Sequence, residues 1–577
     1  MSARASPPSV REGGVAILVG VALAIVMFWP LALHLDRDVP KDLGDSLLTA
    51  YLIGWNGHAL LHQPFEWWQT NAFWPNSDSL AFSDALIGYT PVALLGTGFR
   101  SAIWHYNVLF LFVYALSFAG AYLLARELGL GRPAAAVAGA AFAYSPWRWD
   151  QSAHLAVLSS GGIPLCLMLL LRGYRRDRPA AVVAGWIIAA WQLLVGVSLA
   201  LQLFYLLAVL AAVAFVFWWR AGRPRPTRRM VLATTAGLTV IVIVALVVTR
   251  PYLRVADDYP ESHRTLGNVE YFSPPVRAFV SAPADNLVWG EITAGARERL
   301  RASAEQTLFP GALVLALALF GLFSDVWPRR LRIGLAAGIA TAAIFSMGLA
   351  FLDGTITYRL LFEYAPGWDG PRTPGRLHTL TTLFLALLAA GGAQAFVSHV
   401  GAGRIRPRSW LAPAVCSGFV LVILLEGSAL HRSDGGSGAL ASPAHPTVPA
   451  PPRGLRHADA PLIHLPADEF ATPLDDLLTH RYMVWSTEGF PELVNGISGV
   501  IPRRTLELGE LARGFPDGPS VAGLRAAGVR SVVLHPELAR DTAWAGAADK
   551  PVEGLGIGRR VLGDIVLFDL NPRSPPM

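Results

Sequence analysis

The chain has 577 residues, of which 53% are hydrophobic and only 15% charged, with a formal net charge of +6. A soluble globule of this length carries about 25% charged residues, so the deficit must sit in long uncharged stretches and a water-soluble protein is excluded. The positive charge is arginine in short clusters between apolar segments, with Lys41 and Lys550 the only lysines, which leaves no basic face for nucleic acid. Cys166 and Cys416 both lie inside apolar segments, which leaves no disulfide framework or zinc site.

Residues 14–33 form the first uncharged stretch, about twenty residues long and so too long for a typical signal-peptide core. It reads as a first span entering from a weakly basic N-terminus (Arg4, Arg11). The segment that follows begins KDLGDSLLTAYLIGWNGHALL, where Asp45 precedes an apolar helix carrying Trp55, Asn56 and His58. A carboxylate at headgroup level is partly desolvated, which raises its pKa towards the range of a general base. An Asp at a helix start is also the usual N-cap. FEWWQTNAFWPNSDSLAFSDALIG continues the segment. Trp67, Trp68, Phe73 and Trp74 suit an interfacial aromatic belt and equally a platform for stacking sugars, while Glu66, Asn71 and Asp84 add polar groups that a belt does not need.

Further spans are expected near 104–125, 133–147, 153–171, 179–196, 199–219, 230–249, 308–324, 333–351, 377–398 and 409–427, making roughly eleven in all. The loops between them sort by arginine content. Arg172, Arg175, Arg176 and Arg178 form one cluster, and Arg220, Arg223, Arg225, Arg228 and Arg229 a second. Arg329, Arg330 and Arg332 form a third, and Arg404, Arg406 and Arg408 a fourth. An even number of spans separates each from the others, so all can face the cytoplasm together. Parity then places residues 36–102 outside, together with the 147–153 turn, the 250–307 and 352–376 loops and everything after residue 427. The apolar stretch 86–99 is too short for an ordinary span and suits a juxtamembrane or re-entrant helix; if it did cross, the parity would fail.

Two outer loops carry charge that needs a reason. In SPWRWDQSAH, Arg148, Asp150 and His154 sit at a span junction, where ionisable groups face water, each other or a ligand. Arg148 suits a phosphate or pyrophosphate headgroup, or an anchoring pair with Asp150; on a helix Asp150 and His154 would share a face. In EYAPGWDGPRTPGRLHTL, Asp369, Arg372, Arg376 and His378 sit among prolines and glycines. Two outer arginines run against the positive-inside bias and point to an anionic ligand.

Residues 431–452 are rich in Ser, Gly, Ala and Pro and read as a linker joining a transmembrane domain (1–430) to a small α/β domain (453–577). Short strands are expected at 461–465 and 530–535 and a strand pair at 560–570, with helices at 503–513 and 520–527, the second stopped by Gly528. The aromatic, glycine-bearing stretch 482–500 reads as a loop resting on the membrane domain or as a lid over a membrane cavity.

An Asp just after the first span, a long first outer loop and many spans ending in an external α/β domain resemble the GT-C glycosyltransferases. That superfamily includes the protein O-mannosyltransferases and the lipid A aminoarabinose transferases. AYLLARELGLGRPAAAVAGAAFAYSPWRWDQSAH is similar to their cytoplasmic turn and the following helix, which ends in Ser-Pro at the outer face. GDSLL, NAFWP, YSPWRWDQSAH and PGWDGPRTPGRL resemble a group of bacterial membrane proteins described as glycosyltransferase-like. The resemblance implies a multi-pass protein of the bacterial cytoplasmic (inner) membrane, its N-terminus inside and its C-terminal domain outside. It further implies an inverting transfer of sugar from a polyprenyl-phosphate donor to a glycan, lipid or protein acceptor. Asp45 would match the general base and Asp150 a second acidic position near the donor. Arg148 or Arg372 would hold the lipid phosphate, with His154, Arg376, Asn71, Trp74, Asp84 and His58 as further substrate-binding candidates. No cofactor is called for, and a need for divalent metal stays open. The competing readings are a transporter or flippase for lipid-linked glycans and a non-catalytic scaffold of envelope assembly.

Overall fold

A computed structural model describes residues 6–401, 410–430, 445–467 and 478–571. The fourth arginine cluster and most of the expected linker lie outside the described residues. The chain forms two compact units, one from Met1–Leu33, Leu109–Val248 and Arg264–Ala444, the other from His34–Val108, Thr249–His263 and His445–Met577.

The first unit is helical. Each expected span coincides with a helix, among them Val10–Met27, Phe99–Glu127, Arg132–Ala143, Gly162–Arg176, Val197–Arg220, Arg228–Asp258, Arg329–Ser346 and His378–Gly401. Among the described residues six helices are long and apolar enough to cross a membrane, and Pro179–Val195, Ala312–Phe323 and Leu411–Glu426 are shorter apolar helices. The protein is therefore a multi-pass α-helical membrane protein. The 86–99 stretch holds no helix long enough to cross, only the 3₁₀ turn Ile87–Tyr89, the one-turn helix Thr90–Ala93 and, at Phe99, the start of Phe99–Glu127.

Lipid tails give apolar helices no hydrophobic reason to associate, so close backbone approach has to supply the attraction. Ala312–Phe323 and His378–Gly401 meet in this way through glycines. A Cβ on Gly392 would lie 2.0 Å from the Leu317 carbonyl oxygen, and one on Gly321 would lie 2.1 Å from that of Leu388. Gly392→Leu is therefore expected to force the two helices apart, costing about 3 kcal/mol or more. Gly418→Ala, where a Cβ meets nothing within 4 Å, should be silent. The monodisperse fraction on size exclusion in detergent distinguishes them, and equal fractions would remove the close contact as a determinant of folding.

The two ends of this unit differ in chemistry. At one end Arg126 pairs with Glu12 (2.6 Å), while Arg172 and Arg176 pair with Glu127 (2.8 and 2.7 Å). There Trp327 Nε1 donates to the Leu128 carbonyl and Thr227 Oγ1 to Asp177. The loops carrying the first three arginine clusters and the N-terminal segment thus gather together. At the other end the 273–311 segment meets both the 145–154 turn and the end of Leu411–Glu426. Trp147 N donates to the Phe309 carbonyl, and Leu287 N to that of Ser428. The buried Glu426 carboxylate accepts from Ala312 N, Leu313 N and Trp289 Nε1, capping the start of Ala312–Phe323.

The second unit carries a four-stranded sheet of order β1-β2-β4-β3, with β1 Leu462–Leu465, β2 Ser531–Leu534, β3 Gly558–Leu562 and β4 Ile565–Asp569. β1 and β2 are parallel, and β4 runs antiparallel to β2 and β3. The helices Arg503–Leu511 and Gly518–Ala526 pack on it, the latter followed by Gly528 at φ +95°. Phe515, Leu524, Trp544 and Phe568 lie in its core. The 482–500 stretch does not lie loose. Phe73 N and Trp74 N donate to the Asn495 and Leu493 carbonyls, Leu493 N to that of Asn71, and Val500 N to that of Phe82. It rests on residues 71–82, and a Cβ on Gly496 would lie 2.5 Å from the Phe73 ring.

Candidate functional site

Asp45 is the first residue of the helix Asp45–His62 and not its cap. The cap is Gly44, whose N–H donates to Asp42 Oδ1 (2.9 Å). Ser46, the next residue, is buried, donates to the Pro40 carbonyl and accepts from Tyr106 Oη. The helix start is thereby fixed on both sides, while the Asp45 side chain stays 44% exposed and reachable from water. His480 Nε2 lies 3.8 Å from Asp45 Oδ1, and the His480 side chain is buried on the helix Leu478–Trp485. A reachable carboxylate beside a buried imidazole can take a proton from a bound hydroxyl.

The other candidates of this unit do not join that point. Asn71 is buried and its amide donates to Ser486 Oγ (3.0 Å) and the Pro491 carbonyl (2.7 Å), while its Oδ1 accepts from Tyr51 Oη. It ties the outer loop to the 482–500 stretch. Trp74 is partly buried and packs against the core beneath the sheet. His58 sits thirteen residues along the helix from Asp45, about 20 Å at 1.5 Å per residue. It stacks on Phe490 and His62; burial first, then the neighbouring His62, hold its imidazole below the ordinary pKa. Asp84 lies near Tyr252, whose hydroxyl bridges the Ser83 carbonyl and Ala85 N.

In the first unit Arg148 stands on the 3₁₀ turn Pro146–Trp149 and is 1% exposed. Its guanidinium donates to Ser160 Oγ (2.9 Å), the Leu158 carbonyl (3.0 Å) and Ser117 Oγ (3.4 Å) and lies over the Tyr114 ring. No ion pair joins it to Asp150, which instead accepts from Thr307 Oγ1 (2.6 Å). Residues 150–153 form a turn rather than the helix on which Asp150 and His154 were expected to share a face. His154 Nε2 lies 3.8 Å from Glu305, a residue the sequence reading passed over. Glu305 also receives Arg376 Nη2 (2.5 Å) and Nε (3.3 Å) and Gln151 Nε2 (3.4 Å). Burial pushes its carboxyl up, but Arg376, His154 and these hydrogen bonds outweigh that and hold it below its ordinary value. One of the two arginines of the 352–376 loop is thus neutralised by an internal carboxylate. The other, Arg372, is exposed, with its guanidinium over the Phe272 ring at 5.2 Å.

The two residues missed, His480 and Glu305, carry no local motif; each gains its meaning only from a partner distant in sequence. Among the described residues no group of three or more His, Cys, Asp or Glu could hold a metal ion.

Among curated proteins none matches this sequence. Solved structures do match in fold. The arabinofuranosyltransferase AftD from Mycobacteria aligns at TM-score 0.56 and 16% identity, covering 99% of this chain and 42% of AftD, so the chain spans less than half of that protein's length. Weaker likenesses are the Archaeoglobus fulgidus oligosaccharyltransferase (TM-score 0.42, 14% identity, 94% of this chain and 70% of that one) and ArnT from Cupriavidus metallidurans (TM-score 0.37, 16% identity, 98% and 100%). The chain has a GT-C-like fold. Residues 17–368 match the model of a family described as Domain of unknown function (DUF6311), and the chain belongs to that family.

Proposed function

We propose that this protein is a membrane glycosyltransferase that moves a sugar from a polyprenyl-phosphate donor to an envelope acceptor on the outer side of the bacterial cytoplasmic membrane. The observation that carries the proposal is Asp45, a water-accessible carboxylate on a rigidly held helix start within a GT-C-like chain. In the reaction Asp45 removes the proton of an acceptor hydroxyl. The hydroxyl oxygen attacks the anomeric carbon, the bond from that carbon to the phosphate oxygen breaks, and polyprenyl phosphate leaves with the electron pair. One displacement inverts the anomeric centre. Exposed Arg372 suits the lipid phosphate better than buried Arg148, whose Nη atoms are already engaged.

The end of the first unit that gathers three arginine clusters faces the cytoplasm in this reading, by the positive-inside bias. The loops at the other end, and the C-terminal domain after them in the chain, then face outward. The test is a panel of polyprenyl-phosphate sugars offered to the purified protein with envelope extract as acceptor. Release of polyprenyl phosphate from one donor supports the assignment. Failure to release it from any of them, with no retention of the lipid on the protein, overturns it.

A further inference from the structure

A small cavity in the first unit is lined by Met27, Phe28, Tyr144, Arg148, Trp149 and Gly427, among others. Its volume is about 10 Å³, the space of roughly one water-sized particle. Three of the lining side chains hold a buried polar atom without a hydrogen-bond partner: Arg148 Nε, Tyr144 Oη and Trp149 Nε1. All three residues are more than nine-tenths buried, at 1%, 2% and 5% exposure. Every one of these atoms carries a hydrogen to donate, and two of them can only donate. Among the described residues no carboxylate pairs with Arg148, and the groups that act on its charge are the phenols of Tyr114 and Tyr144.

Buried polar atoms in native proteins are almost always satisfied, and a buried charge is paired. One water would satisfy some of the three donors, yet it would leave the guanidinium charge uncompensated and its own two hydrogens to place. A bare anion has no hydrogens of its own to place, accepts from donors of this kind and balances the charge. The size excludes a sugar phosphate or a lipid headgroup.

We propose that this cavity is a binding site for a small monovalent anion of halide size, held by Arg148 Nε, Tyr144 Oη and Trp149 Nε1. The anion ties Arg148 and Trp149 of the Pro146–Trp149 turn to Tyr144, the residue that ends the helix Arg132–Ala143. Its role is therefore to stabilise this end of the helical unit, independently of any sugar transfer.

The probe is chloride, exchanged for gluconate at constant ionic strength on the full chain in detergent, with apparent Tm as the readout. A rise of about 2 °C or more in 150 mM chloride, matched by bromide and absent in inorganic phosphate, is expected for the natural protein. Tyr144→Phe should reduce the chloride-dependent rise, and Arg148→Gln should remove it. If Arg148→Gln fails to fold, Tyr144→Phe together with Trp149→Phe decides the matter, because each deletes one donor and keeps the ring. Equal Tm in chloride and gluconate for the natural protein overturns the proposal and leaves a water as the occupant. An undiminished chloride effect in the variants places the anion elsewhere and overturns it as well.

Discussion

Asp45→Asn is expected to lower turnover by about 10²–10⁴-fold, the range for loss of a positioned general base, while the protein inserts and folds normally. The separation of activity from folding follows from the geometry. The helix start is held by Asp42 on Gly44 N–H and by the Ser46 bridge between Pro40 and Tyr106, none of which uses the Asp45 carboxylate. Removing a negative charge from a helix N-terminus costs only about 0.3–1 kcal/mol, too little to unfold the unit. Asn keeps the size of the side chain and loses only its ability to take a proton. Polyprenyl phosphate should therefore still bind, because the base acts on the acceptor hydroxyl. The measurement is product formation under saturating donor, paired with size exclusion and Tm. Turnover within about threefold of the natural enzyme would remove Asp45 from the chemistry, whatever the fold.

The fold was legible where the determining information is local. Arginine clusters at the ends of apolar stretches set the order of crossings without any knowledge of packing, and the loops of the first three come together through the Glu127 ion pairs and the Thr227–Asp177 and Trp327–Leu128 hydrogen bonds. The strands and helices of the tail were readable for the same reason, since short apolar runs and a helix stopped by Gly528 state their own limits. The candidate site was legible only in part. Asp45 could be found because its place after the first span is a sequence fact. His480 could not, because it approaches from the opposite end of the chain.

Arg148 and Asp150 illustrate how proximity in sequence misleads. Two residues apart, they suggest a pair, but a 3₁₀ turn carries the guanidinium inward to Ser160 while Asp150 turns to Thr307. Trp74 shows a different ambiguity. An indole beside polar residues looks the same in sequence whether it stacks a sugar or closes a protein core, and only tertiary packing separates the two.

Glu305→Gln is expected to be the most destabilising single change outside the helix contacts, by about 3–5 kcal/mol, the cost of breaking a buried ion pair from one side. The carboxylate is 11% exposed and its Arg376 partner 21%, so solvent screens the charge left behind only weakly. That charge stands at the entry to the helix His378–Gly401, where the turn Pro374–Leu377 depends on it for position. The double variant Glu305→Gln/Arg376→Gln should recover part of the loss, because it leaves no uncompensated guanidinium. A double variant as unstable as the sum of the singles would show that the pair contributes nothing by its coupling. Acidity gives a second handle. Since the Glu305 carboxyl is held below its ordinary value of 4.5 in the folded protein, its contribution is complete above that value and is lost as pH falls through the lower, folded one. Apparent Tm in detergent, followed downward from pH 6, should therefore fall more steeply for the natural protein than for Glu305→Gln. The two curves should approach one another on the acid side, where both side chains are uncharged.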